Sequence, residues 1–401
     1  MKSVSIYTIG KLAEMGIVAL VYLGYATQAG PARYGEVAES MLVITYSAFL
    51  ILGINGSYVK YFSLEKSVSA RRMLSSFNVG YNVLLGAAAF GLGVMLIDRP
   101  YAPLVGGICA LNLMRGSVQT LLRAHVMSGA LSAFNVSFAL LFGVLFLTVV
   151  DDNASFFGAW FAALALSLPP GLWLVIRRRI VSWEYRRLLR FTRSRFATLF
   201  KNGVLLAALT FAGIFYLSSD RIILIALDYP EAGVGLYQFA DNVSGIFYLV
   251  SSSLLYMLTP VYIGRLERRE ITLAAFAAQG GKVALVWLGV LVLFVGAAWI
   301  GVTFFAPAYV AALPTVAFLA ATKYVTLILF IPGTAAMAYH REGRLLAAYG
   351  AMMLPLAAAQ GGIVHYFPEM VPMGLPAASA FALIMVLVIS YRGIRAPSHT
   401  G

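Results

Sequence analysis

The chain has 401 residues, a formal net charge of +13, and 61% hydrophobic against 11% charged residues; its mean hydropathy is +0.86. That leaves no material for a water-soluble domain. The only cysteine, Cys109, excludes a disulfide framework and a thiolate metal cluster.

Twelve apolar stretches fall near residues 5–26, 40–59, 75–97, 102–122, 131–150, 155–176, 203–227, 236–261, 283–305, 312–337, 345–365 and 374–391. Each has about the 20 residues a helix needs to cross a bilayer. The expected fold class is an all-α polytopic membrane protein of about 12 transmembrane helices, arranged as two pseudo-symmetric six-helix lobes around a central cavity.

The first stretch follows Lys2 and precedes Ala26-Thr27-Gln28-Ala29-Gly30, which mimics a secretory signal. Lys11 and Glu14 interrupt its core, so it reads as an uncleaved first helix. They sit three residues apart, on one helical face, and form a mutually neutralising pair or a coupling group. Residues 27–39 read as the longest external gap, with Glu39 at the entrance to span two.

Arg115 falls near the middle of span four and Lys323 near the middle of span ten, with no acid within one turn of either. Ionisable groups in hydrocarbon are costly and mark candidate sites. Two lone cations facing one cavity would suit an anionic head group, with pairing to acids on other helices as the alternative. Asp220 and Arg221 lie in span seven, about 100° apart on a helix, and so are expected to have different partners. Asp241 lies one to two turns into span eight. Partly desolvated carboxylates are candidates for ion coupling. The anion-binding set is therefore Arg115, Lys323, Lys11 and Arg221. The coupling set is Asp241, Asp220, Glu14 and Glu39.

Residues 177–201 carry nine basic residues and one acid between spans six and seven. Trp183, Leu188, Leu189, Phe191 and Phe196 interleave with arginines there, the pattern of a helix lying on a leaflet as well as of a plain linker. It separates an N-terminal six-helix lobe, 1–176, from a C-terminal one, 202–401. The lobes share an orientation, as parallel repeats do. Ala32-Arg33-Tyr34-Gly35 before span two is echoed by Gly233-Val234-Gly235-Leu236-Tyr237 before span eight, about 200 residues later. Alternate gaps and both termini hold 23 Lys/Arg, and the opposite gaps hold only Arg33 and Arg99. Basic loops are retained on the cytoplasmic side, so both termini are expected there. The excess charge is thus a topology signal and an attraction to anionic membrane lipid, and no nucleic-acid partner is expected.

Catalysis finds little support. There is no Gly-x-x-x-x-Gly-Lys-Ser/Thr loop, no His-Glu-x-x-His, and no loop long enough for a catalytic domain. No enzyme activity, cofactor or metal is expected.

Two motifs carry a family resemblance. Ala26-Thr27-Gln28-Ala29-Gly30-Pro31-Ala32-Arg33-Tyr34-Gly35 resembles the turn between spans one and two of polysaccharide-transport members of the multidrug/oligosaccharidyl-lipid/polysaccharide exporter superfamily. Ser219-Asp220-Arg221, then Gly233-Val234-Gly235-Leu236-Tyr237 and Pro260, is similar to the corresponding stretch in the second half. Gln28 departs from the pattern, where an arginine is usual. The resemblance implies a flippase for undecaprenyl-pyrophosphate-linked oligosaccharide, such as an O-antigen or exopolysaccharide repeat unit. It further implies a bacterial cytoplasmic (inner) membrane, alternating access driven by H+ or Na+, and association with polysaccharide polymerase or assembly machinery. The alternative is a multidrug exporter of the same fold, which would favour an acidic cavity.

Overall fold

The computed structural model describes residues 2–182 and 185–395, and all its regular elements are helical. In chain order they are α1 (Lys2–Ser47), α2 (Ile54–Leu64), α3 (Val68–Leu96), α4 (Ala102–Ala124), α5 (Ser128–Val149), α6 (Asn153–Arg177) and α7 (Tyr185–Ala226). There follow α8 (Glu231–Glu267), α9 (Leu273–Phe305), α10 (Leu313–Ile328), α11 (Phe330–Ala338), α12 (Glu342–Tyr366) and α13 (Val371–Arg395). Local chemistry sets several starts. The Asp152 side chain accepts from the Ser155 amide while Ser155 answers to the Asp152 backbone, a capping box that opens α6. Ser67 and Thr272 cap α3 and α9.

Among the described residues, nine stretches are long and apolar enough to cross a membrane. The first, Ile6–Ile51, bends at Gly30 and provides two crossings. Two more come from α4 and α8, whose polar residues dilute their hydropathy. Twelve crossings result, in agreement with the expected fold class.

Residues 27–39, expected as an external gap, hold the turn between the first two crossings. They are helical, and α1 turns at Gly30, whose φ of 74° is open to glycine, followed by Pro31, which has no N–H to continue the ladder. The segment is helical because it is buried: Ala26, Tyr34, Val37 and Ala38 are fully covered. A second break separates the end of α1 from α2. Leu52 and Gly53 both adopt left-handed conformations, and a Cβ on Gly53 would collide with the Gly203 carbonyl.

The chain packs as two compact units, Met1–Tyr25 with Glu39–Ala208, and Ala26–Ala38 with Leu209–Gly401. In the first, α4 is an interior helix against α3 and α6; in the second, α8 and α13 flank α10. The first core gathers Tyr58, Phe77, Leu121, Leu122 and Phe134. Cys109 is buried in the same unit.

The echoed segments touch each other inside the second unit. A Cβ on Gly35 would meet the Glu231 carbonyl, and one on Gly235 would meet the Pro31 carbonyl. The contact is reciprocal across a 200-residue offset, and each glycine is there because a backbone occupies its side-chain space. For the surface-helix pattern, Trp183 and the side chains of 185–196 lie outside the described residues. The backbone from Tyr185 runs unbroken into α7.

Candidate functional site

The charged residues singled out from the sequence gather, with one exception, into two clusters, one in each unit. In the first unit, Lys11 Nζ donates to Glu14 Oε2 at 2.8 Å, one turn along α1. Glu14 also accepts from Arg115 Nη2 of α4, at 2.5 Å on Oε1. The approach is local: α1 meets α5 at Gly10, where a Cβ would strike Ser132. The Arg115 guanidinium lies 4.2 Å from the centre of the Phe138 ring and 5.8 Å from that of Phe134, both on α5. Rings at this distance attract a cation through their negative faces. Among the described residues, buried Arg115 Nε has no hydrogen-bond partner. Two cations therefore share one carboxylate. The Glu14 side chain is 5% exposed, Arg115 11% and Lys11 37%, so the surplus charge lies toward the more open side.

The second unit's cluster is larger and more closed. Asp241 Oδ2 faces Arg221 Nη1 at 3.0 Å, and its Oδ1 accepts from Lys323 Nζ at 2.7 Å. Lys323 also donates to the Asp241 carbonyl and to Ser244 Oγ, each at 2.7 Å. Asp220 accepts from the Arg221 amide at 2.8 Å and the Tyr237 hydroxyl at 2.6 Å. Arg221 reaches Gln238 Oε1 at 3.0 Å. Gln238 donates to Asn242, which donates in turn to Tyr34 of the α1 segment. Two cations and two carboxylates thus balance across α7, α8 and α10.

These distances correct the picture of two lone cations. Arg115 is paired to Glu14 and Lys323 to Asp241, because acids remote in sequence lie on neighbouring helices. The two cations nevertheless differ in their remaining capacity. An ammonium has three donors and a guanidinium five. All three of Lys323 are taken within its own unit, so it has none for an incoming anion. Arg115 gives one to Glu14 and holds Nε in reserve. Asp220 and Arg221 mainly take different partners, as their angular separation predicts. Glu39 stays outside both clusters, half-buried, with Arg99 and Asp98 as its charged neighbours.

The sequence reading missed Tyr237, Gln238, Asn242 and Ser244. Their spacing around Asp241 puts a polar stripe on one face of α8, a signal that was available. It also missed an amide network in the first unit. Asn78 and Asn82 both donate to Asn55 Oδ1, at 2.6 and 3.1 Å, and Ser117 donates to Asn78 at 2.7 Å. Such bonds join helices where no water competes.

No family model matches the sequence, and no curated protein matches it. Solved structures match it in fold. One is described as the outward-facing conformation of a multidrug resistance MATE family transporter of the MOP superfamily. It shares 13% identity over 100% of this chain and 97% of that chain, with a TM-score of 0.67. The inward-facing conformation of a transporter so described gives 13% identity, 96% and 94% coverage and a TM-score of 0.68. A MOP superfamily transporter from Pyrococcus furiosus, described by the reverse polarity of its binding pocket as suggesting a different function, gives 14% identity, 98% and 95% coverage and a TM-score of 0.53. At these identities the likeness establishes the fold.

Proposed function

We propose that the chain is a membrane transporter that moves an anionic lipid-linked oligosaccharide, an undecaprenyl-pyrophosphate-linked repeat unit, across the cytoplasmic membrane by alternating access. One fold serves many cargoes. The neighbours' own descriptions, multidrug resistance for two and reverse pocket polarity for another, leave the cargo to be argued from charge. The observation that carries the reading is the surplus positive charge around Glu14, with Arg115 Nε unpartnered. A diphosphate brings acceptor oxygens and negative charge, which a guanidinium with donors to spare can take in a forked geometry. Orientation rests on the 23 to 2 asymmetry of Lys/Arg, which favours cytoplasmic termini.

For coupling to H+ or Na+, Asp241 is the favoured carboxylate of the four considered. It ties Arg221 of α7 and Lys323 of α10 to α8, so a proton or cation on it weakens two inter-helix bonds at once. An ion with different affinity for two arrangements of those helices drives the change between them.

The second reading, a multidrug exporter, draws on the neighbours described as multidrug resistance transporters. Proteoliposomes loaded with a fluorescent polyprenyl-diphosphate glycan separate the two. Wild-type protein is expected to expose the probe to an external quencher, and Arg115→Glu to lose this while still inserting. Extrusion of a cationic dye without glycan movement would replace the first reading by the second.

A further inference from the structure

The first unit holds a second group of unsatisfied polar side chains, one level along the helices from Arg115. Tyr22 of α1 is half-buried. Its ring centre lies 5.5 Å from that of Trp160 and 6.2 Å from those of Phe142 and Phe156, with interplanar angles of 57°, 74° and 54°. None of these is a parallel stack. Trp160 is in turn stacked on Phe142 and Phe157, so this aromatic wall is held in place by its own packing. Among the described residues, neither the Tyr22 hydroxyl nor the Trp160 indole N–H makes a hydrogen bond. The same is true of the Asn112 amide on α4, also half-buried.

Three placements say what these groups face. First, α4 buries Leu113, Ser117, Val118 and Leu121, yet Asn112, Arg115 and Gln119 form a half-exposed polar stripe along it, at helical-neighbour spacing. Asn112 and Arg115 therefore look onto the same space. Second, Tyr22 stands eight residues beyond Glu14 on α1, about 12 Å along the axis. Asn112 stands one turn before Arg115 on α4. The first and fourth crossings run in opposite directions, so both steps lead the same way through the membrane. Third, helical side chains lean toward the N-terminus of their own helix. That turns the Tyr22 hydroxyl back toward Glu14 and Arg115, and the charge of Arg115 acts on Tyr22.

We infer that Tyr22, Trp160 and Asn112 form a subsite for the sugar joined directly to the diphosphate. The inference rests on the lipid-linked cargo proposed above and names the residues that read its first sugar. A pyranose presents hydroxyls at its rim and C–H groups on its faces. A phenol, an indole N–H and an amide can pair with the first, and aromatic rings cover the second. Buried polar groups without partners are costly, and a ligand rich in hydroxyls supplies the partners. The three side chains are uncharged, so the diphosphate goes to Arg115 and a neutral sugar to the adjoining layer. The order of groups along the wall matches the order of groups along the cargo.

The test is calorimetry on the full chain in detergent with farnesyl diphosphate esterified to glucose, galactose or N-acetylglucosamine. The methyl ester of farnesyl diphosphate serves as a sugarless probe of equal charge. At least one glycosyl ester is expected to bind the wild type about tenfold more tightly than the methyl ester. Tyr22→Phe keeps the ring contacts and should cut that preference about threefold to tenfold, the loss of one hydrogen bond. Asn112→Leu should cut it similarly from another helix, and serves as the second variant. Melting temperature is followed in parallel, because a merely structural role lowers stability and both affinities together. No preference for any glycosyl ester in the wild type overturns the inference, as does an equal loss for both kinds of probe in the variants. If wild-type vesicles move glycan while the preference survives both substitutions, the subsite is wrong and the transport reading stands. If the preference is found and lost as expected but no glycan moves, the subsite stands and the transport reading falls.

Discussion

The two charged clusters have the same ingredients and opposite economies. Around Glu14, two cations share one acid, one of them is more than a third exposed, and a guanidinium nitrogen is left over. Around Asp241, cations and acids balance, and Lys323 has every donor occupied by its own unit. A buried, charge-balanced ion group holds helices together and resists losing any one member. One with a surplus cation at the edge of burial has something to offer a ligand. Charge balance and exposure, more than the presence of a cation, separate the structural cluster from the binding one.

The sharpest way to break this contrast is Asp241→Asn. It leaves Arg221 and Lys323 buried with no carboxylate between them, and removing one partner of such a pair costs about 3–5 kcal/mol. The expected outcome is a large drop in melting temperature in detergent, much of it recovered in Asp241→Asn combined with Lys323→Met. If the single variant melts like the wild type, the cluster is not what ties α7, α8 and α10 together. If it melts lower but still transports equally well at all external pH values, Asp241 keeps its structural role and loses the coupling one.

Tyr237→Phe is the next step down. It removes one hydrogen bond to Asp220 while the Arg221 amide remains. Bonds to charged groups are worth about 1.5–3 kcal/mol, so the loss should lie near the lower end and appear as a smaller fall in melting temperature.

Glu14→Gln should behave differently in kind. The amide still accepts from Arg115 and Lys11 can turn to water, so only one buried cation loses its counter-charge and the cost should fall below that of Asp241→Asn, where two do. Binding should move the other way: two cations lose their shared counter-charge, and affinity for inorganic diphosphate, measured by calorimetry, should rise. A fall in affinity would mean Glu14 positions Arg115 for the ligand, and the surplus-charge argument would fail.

How much of this was legible follows the same division. Helix number came through because an apolar run of crossing length has few other uses. The Lys11–Glu14 pair was readable because three residues along a helix are neighbours. The partnerships of Arg115 with Glu14, 101 residues away, and of Lys323 with Asp241, 82 away, were not. They depend on which helices pack together, and spacing in one chain does not encode that. In residues 27–39 the gap between spans one and two was legible, but the burial and helicity of Tyr34, Val37 and Ala38 beyond Gly30 were not, because they depend on what packs against them. The glycine echo at positions 35 and 235 was visible as a repeat. That the two copies press against each other was not.

The smallest expected effect belongs to Glu39→Gln. Glu39 is half-buried, belongs to neither cluster, and has both an attractive and a repulsive neighbour in Arg99 and Asp98. Substitutions at such positions typically change stability by no more than about 0.5 kcal/mol. Melting temperature and glycan movement should therefore both stay near wild type, with no change in the dependence of transport on external pH. A clear loss of pH dependence with stability intact would move the coupling function from the closed cluster on α8 to the second arm of α1. The contrast between a structural and a binding cluster would then have to be redrawn with a third, independent site for the driving ion.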